Sequence, residues 1–147
     1  MNPMLHARLS LFVTCAWWAS LSALGFWLVP MLFARLPSPA MAGNLAAQLF
    51  AQQSWVALVC GVVLLLLNRR AAALRDGVPA SPQARATVVW VLVALFLVIV
   101  NQYGVSPRIV ARDNLKLWHS VGSGLYVLQW LCVTVLLWRW PARVAHN

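Results

Sequence analysis

Acid is what this chain has least of. Asp76 and Asp113 are its only carboxylate side chains, set against eleven Lys and Arg for a net charge of +9. Chemistry built on paired carboxylates is thereby all but excluded. Charge of either sign is scarce, at 9% of the residues, where soluble domains average about 25%. Also missing are a CxxC pair, a catalytic triad, an HExxH-type metal motif and a phosphate-cradling glycine loop. Neither an enzymatic role nor a bound cofactor or metal is expected. Cys15, Cys60 and Cys132 fall in three different apolar runs, which reads as small buried residues rather than a disulfide framework.

Hydrocarbon takes the place of what is absent. Of the 147 residues, 63% are hydrophobic, more apolar surface than a water-soluble fold of this size can hide. The class is an integral membrane protein, and its first partner is the lipid bilayer. A strongly basic chain also invites a nucleic-acid reading. Here, however, the cations lie between apolar runs, where they fix orientation and meet anionic headgroups. No nucleic-acid partner is expected.

Four apolar runs follow one another. Leu9 to Ala34 carries no charge over 26 residues, enough to cross a core of about 30 Å and too long for a signal-peptide core. Within it, Ala16, Ala19, Ser20 and Ala23 allow a close helix neighbour. Pro30 removes a backbone donor and predicts a kink that faces the bundle. After a turn at Leu36-Pro37-Ser38-Pro39 comes Leu45 to Leu67, whose strictly apolar part starts at Trp55. Its Gln48 and Gln52 share a helical face and are expected to pack inward. The third run, Ala86 to Tyr103, is too long for a strand and ends in the polar collar Asn101-Gln102-Tyr103. Leu115 to Trp138 is the fourth. No internal repeat is evident.

The expected fold is all-α, a four-helix transmembrane bundle forming one domain, with both termini on one side. Putting that side in the cytoplasm leaves Arg8, Arg69, Arg70, Arg75, Arg85, Arg139 and Arg143 inside. Arg35, Arg108, Arg112 and Lys116 are then outside, a balance of seven to four that the positive-inside rule favours. The polar segments Asn68–Arg85 and Gly104–Asn114 read as loops, the first with room for a short helix up to Leu74. Trp118, Trp138 and Trp140 fit an interfacial belt, and Trp17, Trp18, Trp27 and Trp130 lie deeper, at positions expected to pack between helices.

One cluster stands out. Arg112, Asp113, Lys116, His119, Ser120 and Ser123 open the fourth run, and there the only lysine sits beside the only histidine within an apolar stretch. Arg112 and Lys116 are four apart, as are His119 and Ser123, so these pairs share one side of a helix. One reading is a helix entrance, in which Asp113 complements the dipole, Lys116 pairs with it and His119 bonds Ser123 or a carbonyl. The other is a proton- or metal-handling point facing a wet cavity beside Pro30 and the Gln48/Gln52 face.

Gly25, Pro30-Met31-Leu32-Phe33, Leu36-Pro37, Ala42-Gly43 and Phe50 form a recognisable order, continued by Pro107, His119-Ser120 and Leu128-Gln129. Most of the chain thereby resembles the bacterial family of unknown function related to eukaryotic transmembrane protein 205. The resemblance implies a small four-helix protein of the bacterial inner membrane. It marks Gly25, Pro30, Phe33, Pro37, Gly43, Pro107, His119 and Ser120 as pattern positions. The chain departs from that pattern at Tyr126, where related sequences place an asparagine.

Three roles follow. The first is an accessory or interaction module that binds a membrane protein partner or another copy of itself. The second is a small-solute or metal transporter element. The third is a haem-linked redox protein, since the Trp-rich first span is similar in outline to the membrane protoporphyrinogen oxidases. Haem would need His119 together with His6, a methionine or a symmetry mate's His119.

Overall fold

The computed structural model describes residues 3–72, 82–111 and 114–139. Among the described residues every regular element is helical. They are α1 (Pro3–Ala23), α2 (Val29–Arg35), α3 (Pro39–Ala72), α4 (Pro82–Ile99), α5 (Ser106–Val110) and α6 (Leu115–Trp138). Two π-helical turns, Leu24–Leu28 and Val100–Val105, join α1 to α2 and α4 to α5. Four helical rods result, Met4–Arg35, Pro39–Arg69, Pro82–Val110 and Leu115–Trp138, each long and apolar enough to cross a membrane.

The rods run past the apolar stretches. α3 starts at Pro39 rather than near Leu45 because Ser38 caps it, its Oγ accepting the Met41 N–H at 3.2 Å. Proline follows as the first helical residue, where no donor is lost. Helix also covers the first residues of α4 from Pro82 and Gly104 to Val110, expected as loop, and Asn68 to Ala72, where a short helix had room. Asn114, at φ 38°, turns the chain into α6 from a left-handed conformation. Arg75, Asp76, Arg112, Asp113, Trp140 and Arg143 lie outside the described residues.

The first rod packs against the second and fourth, and the third packs against the same two. The bundle is therefore a ring in chain order. Cross-helix pairs give its direction: Ser22 meets Trp130 and Trp18 meets Thr134, so α1 and α6 are antiparallel. The start of α1 and the end of α6 share one end of the bundle.

Trp17, Leu21, Leu64, Val91, Val133 and Leu136 are fully buried at its centre. Phe12, Trp27, Trp55, Phe96 and Val59 lie on the outside. A surface this apolar is stable where the solvent is lipid and not where it is water. Trp27, expected between helices, is 68% exposed. Trp17, Trp18 and Trp130 do pack inside.

Candidate functional site

Polar side chains divide unevenly along the bundle. Towards the chain ends the buried polar residues are hydroxyls, Ser10, Thr14 and Thr87, while the buried amides Gln53 and Gln129 lie near mid-bundle. Thr14 bonds the Ser10 carbonyl, one turn back on its own helix. The amides Asn101 and Gln102 lie in the opposite half, where Asn101 bonds Gly122, one turn before Tyr126.

Tyr126 is the centre of that half. Its hydroxyl donates to the Leu21 carbonyl at 2.8 Å, and the same oxygen accepts the Gly25 backbone N–H. Residues 21 and 25 would bond each other in an α-helix. The phenol thus meets the backbone of the first rod just before it widens. Beyond it the chain widens, and the Val29 N–H reaches five residues back to the Leu24 carbonyl.

Pro30 gives the physical cause of the widening. It lacks an N–H, and in α register its ring would meet the carbonyl four residues before it. The strain is thus absorbed within the helix, and Pro30 itself lies on the outer surface rather than facing the bundle. Gly25 is required by closeness: a Cβ there would sit 2.5 Å from Tyr126 Cε1. Phe50 of α3 closes the pocket from across the bundle, edge-on to the Tyr126 ring at 5.1 Å between centroids.

One turn earlier on α6, Gly122 receives the second π turn. Asn101 Nδ2 donates to the Gly122 carbonyl at 3.3 Å. A Cβ at Gly122 would meet Asn101 Oδ1 and Val105 at 3.3 Å each. This second turn also precedes a proline, Pro107, and its Ser106 N–H bonds the Asn101 carbonyl. Two broken rods are thus held by one straight one, through Gly122 and Tyr126 on the inward face of α6. The third rod is tied to the second as well, since the Ser54 hydroxyl shares its proton between the Phe50 carbonyl (3.0 Å) and Gln102 Oε1 (3.2 Å). Gln53 Nε2 reaches Ser20 Oγ at 2.9 Å.

Below this hub lies a reciprocal clasp. Trp130 Nε1 donates to Ser22 Oγ (2.8 Å), and Ser22 donates to the Trp18 carbonyl (2.8 Å). Trp18 Nε1 donates to Thr134 Oγ1 (2.9 Å), and Thr134 donates to the Trp130 carbonyl (2.8 Å). Each tryptophan therefore bonds a hydroxyl on the other helix that bonds back to the carbonyl of the other tryptophan. Two buried donors have no acceptor among the described residues, Trp17 Nε1 and Gln129 Nε2.

The expected cluster has a different setting. Lys116, His119, Ser120 and Ser123 are all exposed along the outer side of α6, while Arg112 and Asp113 lie outside the described residues. Ser120 Oγ bonds the Lys116 carbonyl at 2.9 Å. His119 forms no bond to Ser123 and faces no interior cavity. Gln48 and Gln52 are likewise on the outside. It is Gln53, the next residue, that turns inward, because a packed helix has room for only one of those faces.

Among the pattern positions, Phe33 and Pro37 are exposed, Gly43 is half-buried with open space where a Cβ would point, and Pro107 lies in the first turn of α5. Among the described residues no group of three His, Cys, Asp or Glu converges on a point. His6, near the start of α1, and His119, near the start of α6, stand at opposite ends of the bundle, so they do not fit one haem. The groups that meet inside are amides, hydroxyls, indoles and one phenol. They are suited to holding helices in place through hydrogen bonds.

Sequence reasoning met Tyr126 only as a departure from the pattern and passed over the clasp. The clasp had a signal, W-x-x-x-S at Trp18–Ser22 and W-x-x-x-T at Trp130–Thr134. Here an indole and a hydroxyl one turn apart on each helix pair α1 with α6.

The family described as "Domain of unknown function (DUF4149)" matches residues 12–117, from the first rod to the mouth of the fourth. No curated protein and no solved structure matches the chain.

Proposed function

The chain belongs to the DUF4149 family, and from that premise we propose that it is an interaction module of the membrane, pairing with a second copy along the outer face of α6. The observation that carries this is Gly124. A glycine inside a helix costs about 1 kcal/mol relative to alanine. Gly25 and Gly122 make up that cost through contacts within the bundle. At Gly124 a Cβ would meet nothing within 4 Å, so the monomer offers no reason for it.

Ser120, one turn before, and Ser123 beside it are exposed on that same outer face. Ser120 and Gly124 make a small-xxx-small pair, which lets two transmembrane helices approach closely. The proposed setting is the bacterial inner membrane with the chain ends in the cytoplasm, supported by the seven-to-four distribution of cations. The kinship with eukaryotic transmembrane protein 205 belongs to the same proposal, supported by the residue pattern from Gly25 to Gln129.

Disulfide trapping tests it. In a chain with Cys15, Cys60 and Cys132 replaced, a single cysteine at position 120 is expected to cross-link two copies in native membranes. Adding Gly124→Leu is expected to abolish the product, whereas a cysteine at the exposed Val59 of α3 gives none. Absence of cross-links from position 120, or their survival in the Gly124→Leu background, would remove the reading.

A second reading, passage of a small solute, draws on the first and third rods. Both are broken by a π turn and a proline at matching positions of the two halves, and breaks so placed often border a transported substrate. Flux of the solute across proteoliposomes, lost in Gln102→Leu, is its test.

A further inference from the structure

We propose that Arg108, seated on the face of Trp118, binds the phosphodiester of a membrane phospholipid. The Arg108 guanidinium carbon stands 4.2 Å from the Trp118 ring centroid. α5 carries Arg108 against α6 because the π turn and Pro107 redirect the third rod at this point. Arg108 lies two residues before the end of its rod at Val110, and Trp118 three residues after the start of its own at Leu115. At 1.5 Å per residue both are within one helical turn of the rod ends. That is the level of lipid headgroups and of interfacial tryptophan.

The Trp118 ring face holds the guanidinium beside it. The N–H groups along its edge stay free, in the fork geometry that matches two oxygens of one anion. Among the described residues no side chain supplies that anion. The described residues contain no carboxylate side chain, and the whole sequence offers only Asp76 and Asp113. A second copy is equally poor in acid, and the proposed counter-ion comes from the lipid. At headgroup depth the anion that presents two oxygens in one plane is the lipid phosphate.

The site is separate from the α6 face proposed for pairing. Trp118 is about half a turn from Ser120 and lies on the other side of the helix. Its success or failure therefore does not follow that of the pairing reading.

The test is native mass spectrometry of the full chain in detergent, titrated with phosphatidylglycerol. Inorganic phosphate and dodecanoate serve as competitors. The wild type is expected to retain one tightly held phosphatidylglycerol, and Arg108→Gln to weaken that binding at least tenfold. Arg108→Lys, which keeps the charge but not the fork, should recover only a minor part. Trp118→Leu should weaken binding severalfold while Trp118→Phe does so less. Arg35→Gln, at another exposed cation of the same end, should change nothing.

Neither competitor at millimolar concentration should displace the lipid. Binding by Arg108→Gln within twofold of wild type would overturn the proposal. So would an equal loss in Arg35→Gln, which would mean diffuse attraction, or displacement by dodecanoate, which would point to a carboxylate ligand. Release by inorganic phosphate alone would mean a free-anion site and would overturn it too. Far-UV circular dichroism and detergent gel filtration keep misfolded variants from being read as losses of binding.

Discussion

Tyr126→Phe removes a single oxygen and tests how the broken first rod is held. The ring keeps its place between Gly25 and Phe50, so packing is nearly unchanged. What disappears is the group that donates to the Leu21 carbonyl and accepts the Gly25 N–H. A buried backbone group left unpaired costs about 1–3 kcal/mol. Hydrogen bonds deleted between transmembrane helices average about 0.6 kcal/mol and reach about 1.7, because side chains often find other partners. Here one hydroxyl serves two backbone groups whose own partners are fixed by the helix, so the upper end applies. The expected loss is about 2 kcal/mol. Unfolding in mixed micelles of mild and denaturing detergent, followed by tryptophan fluorescence, measures it. Amide exchange at Gly25 reports on the site itself, where each 1.4 kcal/mol of lost protection is about tenfold in rate. A loss under about 0.5 kcal/mol with Gly25 still protected would mean that Leu21 and Gly25 bond each other directly in the variant. The phenol would then not be what holds the first rod there, and the reasoning would fail.

Three further expectations rest on neighbouring contacts. Gly25→Ala brings a Cβ to 2.5 Å from Tyr126 Cε1 and should destabilise by about 1–3 kcal/mol. Gly122→Ala, with contacts at 3.3 Å, should cost under about 1 kcal/mol, and the reverse order in thermal unfolding would contradict the geometry. Trp18→Phe with Thr134→Val forms a double-mutant cycle across the clasp. Coupling of about 0.5–1.5 kcal/mol is expected, and additivity would show that the two side chains do not bond. Gln129→Leu replaces an amide whose Nε2 is buried without a partner. It should raise stability by about 1 kcal/mol, and a marked loss would reveal an acceptor bound to Gln129.

Hydrophobicity alone located the four rods, because in lipid every backbone group must be satisfied within the helix. Run length says that a rod exists but not where it stops. Helix ends depend on local chemistry, and Ser38-Pro39 carries that signal as a cap followed by a first-turn proline. Read as a turn, it moves the start of α3 by six residues, from Pro39 to Leu45. The Gln48-Gln52-Gln53 run illustrates a second limit. Periodicity pairs Gln48 with Gln52, but it does not say which face meets a neighbour. Gln53 turns inward because Ser20 on the first rod offers it a hydroxyl.

The candidate site was legible only in part, and the reason lies in what membrane burial does to a sequence. In water an ionisable residue inside an apolar run marks an interior, since the outside is polar. In a bilayer the outside is apolar as well, so His119 among hydrophobic neighbours says nothing about the direction in which it points. The interior of this bundle is marked by residues that look ordinary in a linear reading: a tyrosine one turn after a glycine on α6, and another glycine at the end of α1. Their significance is a matter of distance. A tyrosine reaches into a helical ladder only where the opposite residue lacks a Cβ, and the ladder opens only where a proline downstream cannot close it. Gly25, Pro30 and Tyr126 satisfy these conditions together, and no one of the three carries the signal alone. An asparagine at position 126 has a shorter side chain, and with it the first rod would have to be held by some other group. Replacing Tyr126 by asparagine here should therefore leave the Gly25 N–H and the Leu21 carbonyl out of its reach. Restoration of Gly25 protection by that substitution would show that the rods move together to follow the side chain.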